Sequence, residues 1–122
     1  MRTLKIDHVT VVSPDASRAT ATFQRLFELA PAASGTTAAL AIGDARIEFV
    51  TPAEGTALAD ALRTGGEGMA ALTLVVADLD EAARALERAG VGVTRRTEGG
   101  RALLDVDPTA AHGVRLALVA SA

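Results

Sequence analysis

Residues 4–12, Leu-Lys-Ile-Asp-His-Val-Thr-Val-Val, form a β-branched run that predicts a strand. Ser13-Pro14-Asp15 follows as a helix-start signal. The period then changes. Ala16, Ala19, Phe23, Leu26, Phe27 and Ala30 recur at spacings of three and four, which predicts a helix to about Leu29 with one apolar stripe, ended by Pro31. Residues 37–42 and 45–51 read as a hairpin around Gly43-Asp44. Residues 52–68 hold Pro52, Gly55, Gly65, Gly66 and Gly68 and read as a linker, with a short helix over residues 56–63. A strand at 69–77 then runs into Asp78-Leu79-Asp80-Glu81, a capping box with Asp78 as N-cap. Leu79, Ala82, Leu86 and Ala89 make the buried stripe of this second helix, and Gly90 stops it. Strands are expected near 91–96, 101–106 and 113–120.

The two stretches are copies of one another. Displaced by 63 positions, residues 8–26 fall on 71–89, matching Thr10 with Thr73, Asp15 with Asp78, Ala19 with Ala82 and Arg25 with Arg88. Displaced by 69, Arg46-Ile47-Glu48-Phe49-Val50 falls on Arg115-Leu116-Ala117-Leu118-Val119. An internal repeat decides architecture before propensities do. The expected fold is α+β: two tandem βαβββ modules, about 4–51 and 69–120, within one domain. Their strands form a curved, mainly antiparallel, cup-shaped sheet with the helices on its convex face. The copies differ where chemistry is at stake. His8 becomes Ala71, and Glu48 becomes Ala117.

Composition narrows the classes. A chain of 122 residues with 49% apolar content and a mean hydropathy of +0.29 is long and apolar enough to bury a core. A net charge of −3 with interspersed signs gives no basic stripe for nucleic acid. The absence of cysteine excludes disulfides and thiolate metal sites. No apolar run approaches the ~20 residues of a membrane span. The opening residues lack the apolar core of a signal peptide, so the cytoplasm is the expected location.

The motifs Ile6-Asp7-His8-Val9-Thr10-Val11, Arg46-Ile47-Glu48-Phe49-Val50, Leu74-Val75-Val76-Ala77-Asp78-Leu79-Asp80, Asp107-Pro108 and His112-Gly113-Val114-Arg115-Leu116-Ala117-Leu118-Val119 occur in this order. Together they resemble the vicinal oxygen chelate superfamily, which includes glyoxalase I, bleomycin-resistance proteins, extradiol dioxygenases and methylmalonyl-CoA epimerase. The ending Pro108…His112-Gly113-Val114 looks most like the epimerase branch. The resemblance implies that one residue from the first and one from the last strand of each module line the cup and, in metal-dependent members, hold a divalent ion. Those positions are His8, Glu48, Ala71 and Ala117. Alanine ligates nothing, and His8 with Glu48 alone would give a weak, exchangeable site. No stoichiometric metal or other cofactor is therefore expected. The resemblance also implies a homodimer, because an open sheet leaves edges to cover.

Two readings of His8 and Glu48 stand side by side. One is a hydrogen-bonded pair retained from a metal-binding ancestor. The other is a general acid/base or polar anchor in a metal-free pocket. Arg46 precedes Glu48 by two residues and Arg115 precedes position 117 by two. Side chains at i and i+2 share a face of a strand, so both arginines face the cup if Glu48 and Ala117 do. Two guanidiniums there would suit a carboxylate or phosphate ligand. Otherwise Arg46 pairs with Glu48, and Arg115 pairs with Asp105 or solvent. Thr10, Thr73, Val75 and the alanines would complete an aliphatic lining. Without Trp or Tyr, ligands that bind by aromatic stacking are not expected.

The favoured function is thus a metal-independent small-molecule binding protein whose partner is an anionic metabolite, such as a carboxylate or acyl-CoA. The alternative is an epimerase, isomerase or lyase that moves a proton beside a carbonyl with His8 or Glu48. A third reading, a module used only for assembly, assigns these residues no ligand. No nucleic-acid or membrane partner is expected.

Overall fold

The computed structural model describes residues 1–32 and 38–121. Among them are eight strands and three helices, arranged as two compact units. One unit is His8–Ala70, and the other is Met1–Asp7 with Ala71–Ala122. The boundary falls inside the first strand, β1 (Thr3–Val12). Its opening half belongs with the second repeat: the Arg2 carbonyl accepts a bond from the Ala77 N–H at 3.0 Å.

The first repeat follows β1 with α1 (Ala16–Phe27), β2 (Ala30–Pro31), β3 (Ala38–Ile42) and β4 (Ala45–Val50). The Asp15 carboxylate accepts the Arg18 N–H and caps α1. The helix ends earlier than its apolar spacing predicts, because Glu28 turns left-handed with φ 54°. That turn lifts Leu26 (57% exposed) and Phe27 (59%) out of the core. The expected stripe is therefore wrong at both positions, and at Ala30, which lies exposed in strand rather than helix. Ala16, Ala19, Phe23 and Leu29 pack instead on Val11, Leu40 and Phe49. Pro31 does not end the helix, which has already closed at Phe27 with Glu28 as its C-cap. It lies in the short strand β2, which pairs antiparallel with β3. β3 and β4 form the expected hairpin, with Ile42 opposite Ala45 and Gly43 at φ 54°. The predicted start of β3, residue 37, lies outside the described residues. The linker carries α2 (Ala57–Gly65), capped by Thr56 through the Ala59 N–H.

The second repeat runs β5 (Gly68–Val76), α3 (Leu79–Arg88), β6 (Val93–Glu98), β7 (Arg101–Val106) and β8 (Leu116–Ala120). Asp78 caps α3 through the Glu81 N–H, as the capping box predicts. Leu79, Ala82 and Ala83 bury on Val76, Leu104, Val106 and Leu118, with Leu86 partly buried at the same cluster. Ala89 is exposed, and Ala83 takes the core position that the stripe assigned to it. β6 begins two residues and β8 three residues later than predicted. Asp107 to Val114 is spent in turns, with His112 and Gly113 at positive φ.

Each repeat joins its first and last strands in parallel, β1 with β4 and β5 with β8. The other described pairings, β2 with β3, β3 with β4, β6 with β7 and β7 with β8, are antiparallel. The sheet is therefore mixed. The sequence repeat is also a register repeat. Thr10 stands opposite Glu48 and Val9 opposite Ile47, while Thr73 stands opposite Ala117 and Leu72 opposite Leu116. These are the pairs that the displacements of 63 and 69 superpose.

Candidate functional site

Strand alternation sorts the first repeat into two faces. Val11, Ile47, Phe49, Ala38 and Leu40 take the face that α1 covers. The intervening residues, His8 and Thr10 on β1, Arg46 and Glu48 on β4, and Ala39 and Ala41 on β3, take the other. Ala39 is opposite Glu48 and Ala41 opposite Arg46, so β3 sets only methyl groups beside the two charged residues. Thr10 (7% exposed) flanks Glu48 on β1.

Three polar side chains meet there. Arg46 donates from Nε to Oε2 of Glu48 at 2.8 Å, and its Nη2 forms an ion pair with the same oxygen at 2.7 Å. His8 Nδ1 lies 3.6 Å from the same oxygen and 3.5 Å from Arg46 Nη2. A guanidinium has only donors, so Nδ1 is the acceptor in that long contact. All three side chains are largely buried, at 15% exposure for His8, 24% for Arg46 and 11% for Glu48. His8 and Glu48 therefore share one face and one hydrogen-bonding neighbourhood, as the sequence reading requires. Of the two partners open to Arg46, Glu48 holds its Nε and Nη2.

The corresponding face of the second repeat is mostly apolar. Val75, Leu103, Ala117 and Val119 form a buried cluster, and Thr73 (3% exposed) stands opposite Ala117. Ala71 lies two residues before Thr73 on β5, on the same face. Arg115 precedes β8 by one residue, and its carbonyl accepts the Leu72 N–H at 2.9 Å. The alternation thus extends to Arg115 and places its half-buried side chain on the face of Ala117 and Thr73.

The expected alternative partner of Arg115, Asp105, belongs to another arginine. Arg96 grips Asp105 with two bonds, Nε to Oδ2 at 2.7 Å and Nη2 to Oδ1 at 3.0 Å, and also bonds Glu98. The Asp105 hydrogen bonds raise the Arg96 pKa above its ordinary value. Thr94 on β6 faces Asp105 and Arg96 faces Leu103, so Arg96 reaches Asp105 along the diagonal. Among the described residues, Arg115 pairs with no carboxylate.

Some polar contacts are not signalled by local spacing, Asp7 with Arg101 among them. Asp7 is 7% exposed, and Arg101 Nη1 lies 3.3 and 3.4 Å from its two oxygens. Arg101 Nη2 also donates to the Ala120 carbonyl at 3.3 Å. The two residues are 94 apart in sequence, and no local spacing signals their meeting.

With this geometry in place, comparison with known proteins is decisive for the family. Residues 7–107 match the Glyoxalase/Bleomycin resistance protein/Dioxygenase superfamily. The chain belongs to that superfamily. No curated protein matches it in sequence. Among solved structures, it is similar to methylmalonyl-CoA epimerase from Mycobacterium tuberculosis. That match has 26% identity and a TM-score of 0.83 over 97% of this chain and 88% of that one. It is also similar to a variant Streptomyces coelicolor methylmalonyl-CoA epimerase in complex with 2-nitronate-propionyl-CoA, at 23% identity and TM-score 0.86 over 98% and 96% of the two chains. A hypothetical protein from Bacillus halodurans has the same fold at 19% identity and TM-score 0.83, over 97% and 94%. The epimerase branch expected from the C-terminal motif is the branch of the first two structures.

The superfamily's divalent ion can be tested against the residues present. Two of the four positions that the resemblance assigns to it are Ala71 and Ala117, whose methyl groups carry no donor. At a third, Glu48 already holds a guanidinium on Oε2. Among the described residues, no group of three or more His, Asp or Glu side chains gathers to hold a metal. This donor set does not fit the ion. No described helix is long and apolar enough to cross a membrane.

Proposed function

We propose that this superfamily member binds a small anionic metabolite, a carboxylate or an acyl-CoA, without a resident metal. The observation that carries the reading is Arg115. It is half-buried on the strand face that also carries Thr73 and Ala117 of an aliphatic cluster, and no carboxylate among the described residues pairs with it. A guanidinium kept in such surroundings is matched to a carboxylate or phosphate, which it grips with two parallel hydrogen bonds. The apolar residues Val75, Leu103, Ala117 and Val119 suit the aliphatic part of the same ligand. The likeness to epimerase structures, one in complex with 2-nitronate-propionyl-CoA, supports an acyl-CoA as the first ligand to try.

The test is a thermal-shift screen of organic acids and acyl-CoAs. A ligand that binds only the folded chain raises its melting temperature by mass action. Arg115→Met keeps most of the side-chain length and removes the charge. The best anionic ligand is expected to stabilise the parent chain and not the variant. Equal shifts in both would defeat the reading.

A second reading is favoured by His8 and Glu48. Imidazole beside carboxylate is a proton-transfer unit, and here the two lie 3.6 Å apart on one face. In an isomerase of this kind, one group takes the proton from the carbon beside a carbonyl. Its electron pair passes to the carbonyl oxygen, and a proton is then returned to the same carbon. Incubating candidate acyl-CoAs in D2O reads this directly as loss of the α-proton signal. Exchange abolished by both His8→Ala and Glu48→Gln would establish it, whereas binding without exchange leaves the binding protein.

A further inference from the structure

We infer that Arg46 takes the place of the divalent ion between His8 and Glu48, so that the site carries its positive charge as part of the chain. The inference rests on the metal-free reading above and deepens it by naming the residue responsible.

The geometry is specific. A tetrahedral ion bonds imidazole nitrogen and carboxylate oxygen at ~2.0–2.2 Å, which holds two such ligands roughly 3.4 Å apart. His8 Nδ1 and Glu48 Oε2 are 3.6 Å apart, the spacing of two ligands of one ion. The cationic atom near both is Arg46 Nη2, at 2.7 Å from the oxygen and 3.5 Å from the nitrogen. Nε donates to the same oxygen at 2.8 Å, so two nitrogens of the guanidinium lie within 2.8 Å of Oε2.

The backbone explains why Arg46 reaches this place. Arg46 is the direct cross-strand partner of His8, and Glu48 lies two residues along β4 on the same face. The three side chains therefore converge without long-range adjustment. A divalent ion bound to the same two donors would lie within a few ångströms of a guanidinium that cannot lose its proton. At about 4 Å, like-charge repulsion alone weakens binding by a factor on the order of 100 or more. The second repeat sharpens the contrast. Arg115 is retained at the equivalent position, while the carboxylate and imidazole positions have become Ala117 and Ala71.

The experiment is a Co2+ titration of chelator-treated protein, followed by the visible absorption of bound cobalt and by thermal denaturation. The samples are the parent chain, Arg46→Lys, Arg46→His and Arg46→Gln. Arg46→His replaces the cation by a third donor beside His8 and Glu48. Arg46→Gln removes the charge and keeps a neutral polar side chain. The parent chain and Arg46→Lys are expected to show no cobalt bands. Arg46→His is expected to bind on the order of 100-fold more tightly than the parent, with Arg46→Gln between them.

Cobalt bound stoichiometrically by the parent chain would overturn both this inference and the metal-free reading. No gain in Arg46→His and Arg46→Gln, both shown folded by their melting curves, would overturn the inference alone. Should Arg46→His fail to fold, Arg46→Gln against Arg46→Lys carries the same decision, because the two differ in charge.

Discussion

Nε of Arg46 donates to Oε2 of Glu48 at 2.8 Å and Nη2 lies 2.7 Å from the same oxygen, from two residues away on the same strand. An i,i+2 pair on β4 has no helical or turn geometry to hold it. Its closeness comes from shared burial on one sheet face beside Thr10 and Ala39. Removing either partner takes one counter-charge from a largely buried charge, which is costlier than removing both charges together. Arg46→Met and Glu48→Gln should each lower stability, and the double variant should lose less than their sum. The expected coupling is on the order of 2 kcal/mol by denaturant titration. Strict additivity would mean that the pair is not formed in solution.

The Asp7–Arg101 pair joins the opening half of β1 to β7 within the second unit. Asp7 is 9% exposed at its side chain and Arg101 39%, so solvent screens the arginine far more than the aspartate. Arg101→Met should destabilise by about 1–2 kcal/mol, below the range for a fully buried pair. Asp7→Asn should soften the effect of the arginine change, since the ion pair is then already absent. Urea midpoints of the single and double variants measure both.

Leu104 on β7 is fully buried at 0% exposure, against Val76, Leu118 and the α3 residues Leu79 and Ala82. Leu104→Ala removes its packing and leaves a cavity, at a cost of about 3 kcal/mol. The neighbouring Leu103 lies on the opposite face, in the cluster shared with Ala117. Leu103→Ala should therefore lower ligand affinity as well as stability. Leu104→Ala should change stability alone once temperature is corrected for. Calorimetric ligand titrations of the two variants separate these effects.

Asp107 opens the turn before β8 and should contribute a small pH dependence. The Thr109 hydroxyl, and then its backbone N–H at 3.0 Å, hold the Asp107 carboxyl below the usual carboxylate range. A carboxyl whose folded value is depressed adds stability above its unfolded value. That contribution is lost as pH falls through the folded value. The melting temperatures of the parent chain and Asp107→Asn should therefore differ most at neutral pH and converge in acid, as pH falls through the depressed folded value. A gap that widened on acidification would contradict the assigned hydrogen bonds.

Much of the fold is legible in the sequence because it is carried by local chemistry. Asp15 and Asp78 cap their helices as the motifs predict, since a cap needs only a side chain and an N–H three residues on. The Gly43-Asp44 hairpin and the Gly90 stop follow from backbone freedom at single positions. The departures occur where distant packing decides. Leu26 and Phe27 fit the helical spacing but end up exposed, because Glu28 turns the chain one residue after α1 ends. Strand β2 has two residues and exists only through its pairing with β3.

For the site, the sequence by itself determined which residues could take part. Its duplication places His8 over Ala71 and Glu48 over Ala117, and strand alternation puts Arg46 with Glu48 and Arg115 with Ala117. Only the tertiary structure decided who holds whom. Arg46 closes on Glu48, Arg96 takes Asp105 from Arg115, and Arg101 finds Asp7 across 94 residues. The reason is physical. A period of two along a strand settles which face a side chain occupies. Its partner on that face depends on cross-strand register and on which rotamers reach, and these arise only when distant segments pack together.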